Sequence, residues 1–125
     1  MTLRWKSLGP TENQEIECAM DWVRVNEPWL TDYTIRIKNE EQCSQFVGKK
    51  LNAQGRLKGA SDLMIAWPTS KYYGLFIEAK TKIGIESAPQ KSFIVRMNEV
   101  GYYATFAYGA EEIIYFIKNY LVNKL

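Results

Sequence analysis

The 125-residue chain contains no histidine. That absence excludes Ser-His-Asp and Cys-His nucleophilic schemes, histidine zinc sites and every histidine general base. Any catalysis must rest on carboxylates, lysine, tyrosine or metal-bound water. Cysteine is scarce: Cys18 and Cys43 are the two present. They are too few for a disulfide framework and lack metal-ligand spacing, so a reducing setting is expected. No charged leader followed by an apolar stretch opens the chain, and no run approaches membrane-spanning length. The expectation is a soluble cytoplasmic protein without a membrane partner. Net charge is only +2, too small to announce nucleic acid by itself.

What is present is richer. The length suits one domain, and hydrophobic residues make up 46% of it, enough to bury a core. Charge is uneven. Residues 36–58 carry Arg36, Lys38, Lys49, Lys50, Arg56 and Lys58 against Glu40 and Glu41. A basic segment beside carboxylates suits phosphate recognition, although a solvated helix face explains the charges alone.

Residues 1–10 read as an arm, and 11–125 as one domain. Thr11-Glu12-Asn13-Gln14 is a capping box. Ile16, Ala19, Met20 and Val23 then mark the buried face of a helix from Glu12 to about Arg24. Tyr33–Lys38 alternates as a strand, with Ile35 and Ile37 on its apolar face. A second helix is expected over 41–54. Leu63–Trp67 and Tyr72–Ile77 form a hairpin with a short loop around Ser70. Ser87-Ala88-Pro89-Gln90 is another capping box, opening a helix with Phe93, Ile94, Met97 and Val100 on its buried side. Gly101 caps it, Tyr102–Tyr108 is a strand, and a last helix follows Gly109. The order α-β-α-β-β-α-β-α describes an α/β fold: a mixed sheet flanked by helices.

The chemistry gathers at the hairpin. A turn centred near Ser70 sets Asp62 opposite Glu78, and Glu78 and Lys80 share a face because side chains two apart do so in a strand. Two carboxylates and an ammonium therefore converge. Oxygen donors of this kind suit Mg²⁺ or Mn²⁺, with the carbonyl of Ala79 as a further ligand. Lys80 would position or help deprotonate the attacking water. Plainer readings exist. Asp62 can cap a turn, Glu78 and Lys80 can form a surface ion pair worth under ~1 kcal/mol, and Gln90 is accounted for by its capping box.

These residues resemble the VRR-NUC domain of the PD-(D/E)xK nuclease superfamily, in its compact stand-alone phage and bacterial form. The likeness is carried by Glu12-Asn13-Gln14, Lys38-Asn39-Glu40, residues 55–63 (GRLKGASDL), residues 74–80 (GLFIEAK), Ser87 with Gln90, and Gly101-Tyr102-Tyr103. The blocks arrive in the family's order across almost the whole chain. Ser61 stands where the motif often has proline, and Ala79 where it often has a larger apolar residue; neither change removes a ligand.

The resemblance implies a restriction-endonuclease-like core and a Mg²⁺- or Mn²⁺-dependent DNA endonuclease. Asp62 and Glu78 match the metal-binding acids, and Lys80 the catalytic lysine. Gln90 matches a glutamine near the site, and Glu12 the first-helix acid that completes the metal site, with Glu15 as the alternative. Lys38, Asn39, Lys49, Lys50, Arg56 and Lys58 are the residues chosen to contact DNA. Stand-alone members are associated with homodimers acting on four-way junctions, and no organic cofactor is implied. A phage-encoded copy would work in the bacterial host's cytoplasm. The competing expectation is a nuclease-like module that binds nucleic acid or a replication partner and cuts nothing.

Overall fold

The computed structural model describes residues 9–37, 54–55 and 57–125. Helix α1 (Glu12–Asn26) starts on Thr11, whose side chain accepts from Gln14 N while the Gln14 side chain accepts from Thr11 N. That reciprocal cap satisfies two N–H groups the first turn would otherwise leave open. A 3-10 helix (Pro28–Tyr33) leads into strand β1 (Thr34–Arg36). Strands β2 (Leu63–Ile65) and β3 (Leu75–Lys80) follow, then helix α2 (Ala88–Glu99), strand β4 (Tyr103–Tyr108) and helix α3 (Gly109–Leu121). The helix expected over 41–54 lies outside the described residues, apart from Gln54.

The sheet runs β1-β2-β3-β4. β1–β2 and β2–β3 pair antiparallel, and β3–β4 pair parallel. The sheet is mixed, as the sequence predicts. β2 and β3 are the inner strands, and all six residues of β3 are buried. Its two faces feed two cores. Leu75, Ile77 and Ala79 join Leu63 and Ile65 against Ile16, Ala19 and Val23 of α1 and Ile113 and Ile117 of α3. Phe76 and Ala104 face the other way, onto Phe93 of α2. Each large aliphatic side chain so buried contributes about 1.5–3 kcal/mol relative to exposure.

Three details depart from the sequence reading. The hairpin strands stop at Ile65 and resume at Leu75. Ala66 N donates to Tyr33 O and Tyr73 N to Gly101 O, so those groups bond neighbouring segments instead of each other. Val100, expected inside, is 58% exposed because the helix ends there, with Gly101 at φ +105° turning the chain. Ile35 is 47% exposed, so only Ile37 of that strand's apolar pair packs on a core.

Candidate active site

Glu78 and Lys80 continue the series begun by Phe76, on the face that looks toward α2. The register Leu63↔Ile77 places Asp62 opposite Glu78. Both acids therefore lie at the end of β3 where the chain leaves for α2, beside the parallel end of β4. In open α/β sheets the carboxyl ends of parallel strands are where ligands bind.

Burial singles this place out. The buried polar or charged side chains among the described residues are Ser61, Glu78, Lys80 and Gln90. They occupy one neighbourhood. Burying unpaired charge is costly, so the contacts around them matter. Asp62 Oδ2 accepts from Ala79 N at 2.9 Å, and Glu78 Oε2 accepts from Asp62 N at 3.1 Å. Each acid thereby fixes the other's backbone. Gln90 Nε2 donates to Glu78 Oε1 at 2.6 Å. Its own Oε1 accepts from Ser87 N, closing the capping box of α2. Gly59 brings the approach to Asp62 against α2: at φ +86° it leaves room for the Pro89 carbonyl, which a Cβ would overlap.

The electrostatics follow from this crowding. Burial pushes Glu78 up to about 9, the Asp62 charge adds to the rise, and Lys80 opposes it. Asp62 is raised as well, chiefly by burial, against the Ala79 N–H and the charges of Arg36 and Lys80. Two acids held this close disfavour simultaneous ionisation. A cation between them would reverse that.

The expected site residues divide into two groups. Asp62, Glu78, Ala79, Lys80 and Gln90 are brought together. Glu12 lies within reach of Glu78, whose acidity it weakens further. Glu15 instead faces Gly109 and the stem of Lys82, so the geometry separates the two first-helix acids. Among the described residues no three acids stand close enough to cage an ion by themselves; Asp62 and Glu78 are the pair of acids that meet. Lys58 is exposed in the turn before Gly59. Lys38, Asn39, Lys49, Lys50 and Arg56 lie outside the described residues.

No protein-family model and no curated protein matches this sequence. Among solved structures, one described as "VRR_NUC domain protein" superposes with a TM-score of 0.81 at 26% identity, covering 91% of this chain and 90% of that one. That likeness in fold and sequence supports a VRR-NUC domain. The likeness points to a nuclease-family domain. Sequence reasoning gave no site role to Arg36 or Asn13. Arg36 donates to Asn13 Oδ1 at 2.8 Å and its charge favours ionised Asp62. It also missed Tyr108, which donates to Glu86 Oε2. The alternation of β1 placed Arg36 opposite Ile35 but could not say which side chains cross between elements.

Proposed function

We propose that this domain is a Mg²⁺- or Mn²⁺-dependent DNA endonuclease, acting within the single domain formed by residues 11–125. The observation that carries the reading is the buried meeting of Asp62 and Glu78 beside Lys80 and Gln90. The donor set fits a hard divalent cation. It is all oxygen, and both acids are held protonated more strongly than usual by burial, with the Asp62 charge adding to the rise at Glu78, a penalty that a cation would remove. Asp62, Glu78 and the Ala79 carbonyl would hold the ion, with Glu12 at its margin. When bound, such an ion lowers the pKa of water and neutralises the scissile phosphate. Lys80 positions the attacking water and balances charge on the phosphate. Gln90 orients the Glu78 carboxylate. Lys58, with Lys38, Asn39, Lys49, Lys50 and Arg56, supplies phosphate contacts.

Branched DNA and a homodimer are the finer part of the proposal. A twofold dimer presents two sites to two strands of a symmetric junction. Trp29, Tyr33 and Trp67, 41%, 40% and 37% exposed, supply an apolar surface for it. Tyr72 packs inward against Tyr103 and Tyr120 and stays out of that surface.

The test is a cleavage assay on labelled four-way junction, flap and linear DNA with Mg²⁺, Mn²⁺ or EDTA. Metal-dependent cutting that disappears in Asp62→Asn and Glu78→Ala supports the enzyme. Tight binding without cutting in either metal replaces it with the binding-module reading. A domain that only binds has no chemical reason to bury Glu78 and Lys80 together.

A further inference from the structure

The loop between β3 and α2 presents two isoleucines to solvent beside the catalytic lysine. Ile83 is 81% exposed and Ile85 87%. The residues alternating with them each touch a neighbouring element or the Lys80 stem. The Lys82 stem lies over Gly109, with Cε 3.6 Å from where a Cβ of that glycine would stand. Gly84 rests on Lys80, whose Cβ and Cδ would both be 3.2 Å from a Cβ at position 84. Glu86 accepts a hydrogen bond from the Tyr108 hydroxyl. That bond pushes the phenol up to about 12, so Tyr108 keeps its proton at neutral pH. Gly84 N donates to Thr81 O, closing a tight turn. The two apolar tips are thus fixed on a three-point mount.

A mount of this kind does not explain why its outward positions are isoleucine. Exposed β-branched side chains gain nothing from water, and a polar residue would serve the turn equally. Their place beside Lys80 gives the reason. Lys82 and Lys91, both exposed, lie in the same loop and the first turn of α2, a sign suited to a phosphate backbone. Apolar side chains that unstack and kink DNA are a recurrent means of bending a duplex around protein.

We propose that Ile83 and Ile85 form an apolar wedge that enters between base pairs next to the phosphate being cut. This rests on the nuclease reading above, and assigns the loop the task of opening the duplex at the site. Gly84 between them lets the loop lie close on the Lys80 stem, which a Cβ there would crowd at 3.2 Å.

The experiment compares the full chain with the Ile83→Ser/Ile85→Ser variant, whose substitutions touch no core. Two substrates are used: a fully paired four-way junction, and the same junction with mismatched pairs at the cut site. A 2-aminopurine beside the scissile phosphate reports unstacking on binding, with no need for cleavage. The expected result is roughly tenfold slower cutting of the paired junction by the variant, near-normal cutting of the mismatched one, and loss of the fluorescence rise. Equal rates on both substrates, or equal slowing on both, overturn the wedge. So does a shift from dimer to monomer in sedimentation, which would make the loop a subunit contact. If the wild type cuts neither DNA but still brightens 2-aminopurine through these isoleucines, the nuclease reading fails while the wedge stands. If it neither cuts nor brightens, both fail.

Discussion

Gln90 joins Glu78 to the start of α2: its Nε2 donates to Glu78 Oε1 at 2.6 Å while its Oε1 accepts from Ser87 N at 3.0 Å. One amide therefore serves a helix cap and a carboxylate at once. Gln90→Ala breaks both contacts and leaves buried polar atoms unsatisfied. The expected loss is about 1–3 kcal/mol of stability, measured as a lower denaturant midpoint. Cleavage should fall about 10–100-fold, the usual penalty for losing a group that orients a metal ligand. A variant that loses stability but keeps its full rate would show that the glutamine only caps.

The acidity of Glu78 makes a pH prediction with a definite sign. Its folded pKa is raised from 4.5 to about 9, mainly by burial and by Asp62. The folded state then binds the proton more tightly than the unfolded chain does. The resulting stability is fully present below 4.5 and is lost as pH rises through about 9. Metal-free protein should therefore melt at a lower temperature at pH 9 than at pH 5, and Glu78→Gln should flatten that slope. A divalent ion competes with the proton, so Mn²⁺ should stabilise more at pH 8 than at pH 5.5. A metal-free melting temperature that rises over the same interval would contradict the arrangement.

The register of this site was readable because it rests on two short-range rules. A turn centred on Ser70 and the period of two in strands were enough to pair Asp62 with Glu78 and to set Lys80 on the same face. Both capping boxes were readable for a similar reason, since each spans three residues. The ends of the hairpin were not. Whether Tyr72 extends a strand or packs beside Tyr103 and Tyr120 depends on β4 and α3, far later in the chain. The bond from Arg36 to Asn13 and the one from Tyr108 to Glu86 link separate elements. No local pattern encodes such partners, and the charge of Arg36 therefore looked like one more cation in a basic segment.

Gly59 and Gly101 both sit at positive φ, +86° and +105°, yet alanine should affect them unequally. The backbone penalty, about 1–3 kcal/mol, is common to both. At Gly101 the added Cβ meets the Tyr73 ring at 2.6 Å, but Tyr73 is 68% exposed and can swing aside. At Gly59 it meets the backbone of Pro89, which cannot move without α2. Gly59→Ala should therefore be the more destabilising in a denaturant titration, and should also weaken cleavage by shifting Asp62. Equal losses would mean that φ alone governs both sites.

Trp29, Tyr33 and Trp67 cluster edge-on and tilted at the other end of the sheet. Their ring centroids lie 5.0 Å apart for Trp29–Trp67 and for Tyr33–Trp67. Tyr33 precedes β1 and Trp67 follows β2, whereas Asp62 lies before β2 begins. The cluster is thus suited to subunit contact more than to the cut strand. For the homodimer proposed above, Trp67→Ser is expected to shift the sedimentation coefficient toward monomer while leaving the secondary structure seen by circular dichroism intact. An unchanged coefficient would remove this surface as the dimer contact.

Lys80 tests whether the charge at the end of β3 is chemical or structural. It is 6% exposed, its stem backs onto Gly84, and its charge lowers the pKa of both Asp62 and Glu78. Lys80→Met keeps much of the stem and removes the charge. With the ammonium gone, the two acids hold their protons still more firmly, so the metal-free melting temperature should fall more steeply with pH than in the wild type. Cleavage should drop about 10²–10⁴-fold, as expected for a group acting directly on proton transfer or transition-state charge. Lys80→Arg restores the charge but not the compact ammonium, and a planar fork does not fit the space beside Gly84 in the same way. It should therefore recover the pH slope of stability without recovering the rate. If Lys80→Met cuts DNA as well as the wild type, the lysine serves only to offset the buried acids.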